Sequence, residues 1–137
     1  MTKLSPPLPE LNVDNTAFWT GGSAGELLIN RCDGCDLWIH PPVPTCRRCG
    51  NDDVVARPVT GSGEVLTCTV NHQEWLPGMV LPYILAIVEL DEQKDLRLTT
   101  RLVDCDPDEV GIGMRVRVTF EQREDVWLPL FRPEAAR

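Results

Sequence analysis

Four of the six cysteines in this 137-residue chain fall in two matched pairs, Cys32-x-x-Cys35 and Cys46-x-x-Cys49, with ten residues between the pairs. No other feature restricts the fold so tightly. Two cysteines three apart on a tight turn aim both sulfurs at one point about 2.3 Å from a metal ion, and two facing turns complete a tetrahedron. The expected element is a rubredoxin-like zinc ribbon with Cys32, Cys35, Cys46 and Cys49 as ligands. Iron uses the same thiolates and stays open as the alternative. A redox-active thiol pair needs a strand–helix–strand setting, and none is read here. A four-thiolate site is closed to water and substrate, so the metal is expected to hold the fold and perform no chemistry. Gly34 inside the first turn and Gly50 just after the second are the places where positive φ is expected. Cys68 and Cys105 lie outside this pattern, in apolar strand-like stretches, and read as buried thiols.

Periodicity orders the rest. Residues 1–13 are Pro-rich and read as extended. Asp14 or Asn15 can cap a short helix near Thr16 that carries Phe18 and Trp19, with Gly21, Gly22 and Gly25 cutting it short. Strands are expected at 27–31, 37–40 and 54–58, with Pro41, Pro42 and Pro44 as a stiff link between the metal turns. After Gly61-Ser62-Gly63 the pattern becomes one of successive strands. The first, 64–75, sets Leu66, Cys68 and Val70 on one face. The second, 83–90, is nearly all apolar and reads as buried on both faces or at a barrel centre. The third, 96–103, sets Leu96, Leu98, Thr100 and Leu102 on one face. A helical turn at 106–110 precedes strands at 115–122 and 126–131. Five short strands and one helical turn match an OB-fold barrel. The expected chain is mainly β. Residues 1–26 form an extension and short helix, 27–60 a zinc ribbon, and 61–137 a five-stranded OB-fold barrel with a C-terminal tail.

Charge narrows the function. Asp and Glu number 21 against 13 Lys and Arg, a net charge of −8, which argues against a surface built for nucleic acid. The longest apolar stretch, 80–90, is broken by Pro82 and too short to span a bilayer. The first eleven residues carry three prolines and no apolar signal core, so the reading is a cytoplasmic chain with no membrane role.

The two metal turns with their Pro41-Pro42 link, Phe18-Trp19 ahead of them, Gly61-Ser62-Gly63-Glu64-Val65, Thr69-Val70-Asn71-His72, Pro82-Tyr83, Val88-Glu89-Leu90-Asp91, Ile112-Gly113-Met114-Arg115-Val116 and Leu130-Phe131-Arg132-Pro133 recur in one order. In these the chain resembles the zinc-ribbon plus OB-fold acyl-CoA-associated proteins, long catalogued as a domain of unknown function. The resemblance covers about 18–131. It implies a small accessory subunit of a thiolase-fold enzyme, such as a thiolase or a steroid side-chain aldolase, acting on acyl-CoA thioesters. In such complexes the small subunit stabilises the catalytic one and can help shape its acyl-CoA channel. Some relatives pair instead with enoyl-CoA hydratase folds. The partner supplies the nucleophile and the bases, and a two-plus-two assembly follows from the usual thiolase dimer.

Chemistry within the chain itself finds little support. Only two histidines are present. His40 follows the first metal turn as a surface residue or a substitute ligand. His72, near Glu74 and Trp75, reads as a polar strand-end or interface residue, with a histidine–carboxylate base as the alternative. Contact with a partner or acyl-CoA is open for Phe18, Trp19, His72, Trp75, Tyr83, Arg47 and Arg48. For Phe18 and Trp19 the other role is a lid on the ribbon. For Trp75, with Pro77, Met79 and Leu81, it is closure of the barrel bottom. For Tyr83 it is barrel core or rim, and for the arginines a solvated turn. A nucleic-acid-binding zinc-ribbon and OB module is the competing class.

Overall fold

Alternation of apolar and polar residues, the signature of a half-buried strand, accounts for most of the second half of the chain. The structure, a computed structural model, describes residues 7–75 and 79–134. A five-residue helix, α1 (Thr16–Thr20), runs into a 3-10 turn (Gly21–Ala24). Three strands follow, β1 (Leu27–Cys32), β2 (Trp38–Ile39) and β3 (Val54–Val59), in the sheet order β2-β1-β3. Five more, β4 (Ser62–Asn71), β5 (Tyr83–Leu90), β6 (Arg97–Leu102), β7 (Arg115–Arg123) and β8 (Val126–Pro133), close a barrel in the order β4-β5-β6-β8-β7. The mainly-β ribbon and five-stranded OB-fold barrel expected from the sequence are both present.

Four local expectations change. Asn15 does not cap α1 with its side chain; its Oδ1 accepts the Asn12 N–H at 2.8 Å, folding the preceding segment back on itself. On β4 the inward residue is Val65, fully buried opposite Val88, and the register shifts between Val65 and Thr67. Leu66 is the extra residue of that bulge, which restores Cys68 and Val70 to the barrel interior. β5 is buried on one face: Ile84, Ala86, Val88 and Leu90 point inward, while Leu85 stays 41% exposed. Among the described residues no second layer covers the outer face of β5. The segment 106–110 is a single turn closed by Glu109 N–H to the Asp106 carbonyl (2.9 Å), with the Asp106 side chain accepting the Asp108 N–H, and it does not continue as a helix. Cys105 sits in the loop before it. Residues 1–6 of the Pro-rich extension, Pro77, and the last residues of the tail lie outside the described residues.

Ribbon and barrel share one core. Phe18 from α1 and Leu27 and Ile29 from β1 pack in the same cluster as Val65, Val88, Leu98, Val116 and Phe131. The 91–95 loop between β5 and β6, polar and solvent-facing by composition, reaches back to the ribbon. Gln93 accepts the Trp38 N–H at 2.9 Å and donates to the Trp38 carbonyl at 3.0 Å. Beside it Glu92 accepts the Thr60 N–H at 2.8 Å. A second small cluster, Cys32, Leu37, Ile39 and Cys46, lies under the metal turns. No helix among the described residues is long and apolar enough to cross a membrane.

Candidate metal centre and neighbouring surfaces

Each cysteine pair sits on the same kind of turn. The Asp36 N–H bonds to the Cys32 carbonyl (2.7 Å) and the Gly50 N–H to the Cys46 carbonyl (2.9 Å). The residue four after the first cysteine takes positive φ in both, Asp36 at 65° and Gly50 at 73°. Gly34 does not. Its lack of a side chain serves close packing instead, since a Cβ there would stand 2.7 Å from Asn51 Nδ2 on the facing turn. Asp36 carries its unusual φ with its carboxylate on Arg31 at 2.8 Å.

The two turns bring all four Sγ atoms within 4.8 Å of one another. Cys32 and Cys49 are 3.6 Å apart, as are Cys35 and Cys46. Metal–sulfur bonds of about 2.3 Å put the sulfurs of a tetrahedron about 3.8 Å apart, so the arrangement fits a metal with little movement. The thiols are electrically unequal. Backbone N–H groups of Cys49 and Arg48 hold Cys46 down to about 6, whereas burial pushes Cys35 up to about 12. A bound divalent cation supplies the charge that ionises all four. An all-sulfur donor set suits zinc or iron and disfavours magnesium or calcium. His40 is no part of this group.

The remaining sequence candidates fall on separate elements. Phe18 is 5% exposed, in the core, with its ring 4.7 Å from Trp19 and 4.8 Å from His40. Trp19 packs beside it and lines a cleft. His72 is exposed just past the end of β4 and makes no ion pair among the described residues. Trp75 is 69% exposed, held by its Nε1–H on Asn71 Oδ1 at 2.8 Å. Tyr83 pairs with Asn71 and shares that end of the barrel. Arg47 and Arg48 are exposed on the second metal turn. Cys68 and Cys105 are half-buried against the core, and burial, then the Glu109 and Asp106 carboxylates, push the Cys105 thiol up.

The cleft, about 640 Å³, was not legible as a site. Its walls are α1, the His40-Pro41-Pro42 segment of the ribbon, and barrel strands β6 and β8. His40 is among its lining residues, and the Nδ1 of that ring is buried without a hydrogen-bond partner among the described residues. No motif marks such a place, because its walls come together from four distant segments.

Comparison with known proteins agrees with this architecture. Residues 19–55 match a family described as the ChsH2 rubredoxin-like zinc ribbon domain, and residues 56–121 the ChsH2 C-terminal OB-fold domain. The chain is 38% identical over 93% of its length to a probable enoyl-CoA hydratase alpha subunit of Thermomonospora curvata. It is 34% identical over 92% to the 3-oxo-4,17-pregnadiene-20-carboxyl-CoA hydratase alpha subunit of Mycobacterium tuberculosis. It spans 40% of the length of each of these two relatives. A DUF35 domain-containing scaffold protein of Methanocaldococcus jannaschii is 35% identical, over 69% of this chain and 68% of that protein. Among solved structures, a chain of Ltp2-ChsH2(DUF35) aldolase superposes with a TM-score of 0.81 at 38% identity, over 92% of this chain and 98% of that one.

Proposed function

The chain belongs to the ChsH2 family of a rubredoxin-like zinc ribbon joined to an OB-fold, and from that premise we propose that it is a non-catalytic accessory subunit of a thiolase-fold enzyme acting on acyl-CoA thioesters. In this reading it stabilises the catalytic subunit and helps form its acyl-CoA channel. The observation that carries it is the likeness to nearly the whole of one chain of an aldolase assembly. The described residues add support from the chemical side: a closed thiolate site that we assign to structural zinc. Phe18 acts from within the core, by fixing Trp19. Trp19, His72, Trp75, Tyr83, Arg47 and Arg48 remain the residues proposed for contact with the partner or with acyl-CoA.

A second reading rests on the two hydratase alpha subunits among the relatives: the partner is then an enoyl-CoA hydratase fold. Affinity purification of the tagged chain from its native cells, followed by mass spectrometry, separates the two. A stoichiometric thiolase-fold protein supports the first reading and a hydratase-fold protein the second. Nucleic acid in place of either overturns both.

A further inference from the structure

β6 has one edge in use and one largely free. The Leu90 N–H bonds to the Leu96 carbonyl at 2.9 Å, so the main-chain groups of 96, 98, 100 and 102 point toward β5. The Val103 N–H bonds to the Phe131 carbonyl at 2.8 Å, so the groups of 97, 99 and 101 point to the other edge. β8 covers that edge through a single registered pair, Leu102 with Phe131. One step on, the Thr100 hydroxyl spans the gap to the Pro129 carbonyl at 2.9 Å. Past it, toward Arg97, the strands splay, and the main chain of Arg97 and Thr99 has no ladder partner on this side among the described residues.

The 640 Å³ cleft opens on this splay. It is lined by consecutive residues of both strands, 97–101 and 128–130. A strand face contributes every second residue; consecutive residues mean that the walls are strand edges. An unpaired edge recognises extended main chain. Trp19, Pro42 and Leu128 give apolar walls for side chains. Arg97 and Arg101 stand at the cleft in a chain of net charge −8. Each pairs with an exposed carboxylate, Asp95 at 3.2 Å and Glu121 at 3.9 Å, and among the described residues Asp14 is the acidic residue in the lining. The two guanidiniums outnumber the one carboxylate of the lining and can take acidic side chains of a partner.

We propose that this cleft takes a short, extended, carboxylate-bearing segment of the catalytic partner, added to the free edge of β6 as a further strand. The inference rests on the accessory-subunit reading and deepens it. Its test is residue-resolved amide hydrogen exchange on the isolated chain and on the complex purified with its partner. Amides of Arg97 and Thr99 exchange at least about tenfold more slowly in the complex, while Leu98 and Thr100, already bonded to β5, change little. Thr99→Pro deletes the edge donor at a position where an edge strand tolerates proline. It weakens the complex at least about tenfold, and Thr99→Val, which keeps the N–H, does not. A complex that forms with Arg97 and Thr99 still exchanging freely overturns this inference and leaves the accessory reading standing. Protection that instead appears in the isolated chain as concentration rises, with a doubled mass, assigns the cleft to a second copy and overturns it too. If no subunit co-purifies, both readings fall.

Discussion

Removing the metal should unfold the two cysteine turns and leave the barrel standing. Under the turns, the cluster of Cys32, Leu37, Ile39 and Cys46 contains only two buried side chains that are not themselves ligands, Leu37 and Ile39, each 3% exposed. Burying them contributes about 1.5–3 kcal/mol apiece. Ordering the turns costs about 1–2 kcal/mol for each residue fixed, so these two offset only a handful of residues. Structural zinc in small peptides contributes about 10–16 kcal/mol at neutral pH, several times what the two side chains give. The barrel is differently placed. Its core draws on all five barrel strands and also anchors Leu27 and Ile29 of β1, so β1 stays docked when the turns open. Trypsin reads the difference, because Arg47 and Arg48 lie exposed on the second turn. With a strong chelator, or in Cys49→Ser, cleavage there accelerates at least about tenfold, while amides at Val65, Val88 and Val116 keep their protection. Cleavage unchanged by chelation would falsify the assignment of the metal as structural. Loss of barrel protection together with the turns would show that the two parts unfold as one unit.

Gln93→Ala removes both hydrogen bonds to Trp38 and is expected to cost about 1–3 kcal/mol in chemical denaturation, at about 0.5–1.5 kcal/mol per bond. A change near zero means that water replaces the clamp. Trp19→Ala, half-buried at the cleft, should cost about 2 kcal/mol and weaken partner binding in a chain that still folds; an unfolded variant would place Trp19 among the core residues. Hydrogen bonds from the Arg115 guanidinium hold the Asp91 carboxyl below the usual carboxylate range. A depressed pKa stabilises above the unfolded value, and that contribution is lost as pH falls through the folded one, below about pH 4. The pair is largely exposed, so Asp91→Asn should cost less than about 1 kcal/mol at pH 7 and reduce the loss of stability in acid; an acid limb as steep as before assigns that limb to other carboxylates.

How much could be read in advance follows from the range of each signal. Cys32, Cys35, Cys46 and Cys49 declared their site because metal geometry fixes a local spacing. The strands of the barrel were legible because Leu96, Leu98, Thr100 and Leu102, or Val116, Val118 and Phe120, alternate within a few residues. The bulge at Leu66 was not, because the same alternation can be read one residue off until β5 sets the register. Asp36 escaped notice as the positive-φ residue because the expectation fell on Gly34, the glycine of that turn, and the turn imposes the conformation on whatever residue stands four after the first cysteine.

By itself, then, the sequence determined the metal-binding turns, the number and order of most strands, and the net negative charge. These depend on residue type and short spacing. Tertiary structure decided that Phe18 and β1 join the barrel core, that Gln93 ties the hairpin to the ribbon, and that β6 and β8 part to leave a free edge beneath α1 and His40. Each of these is a meeting of segments far apart in the chain. Closure of the barrel fixes where they meet, and no local pattern encodes it.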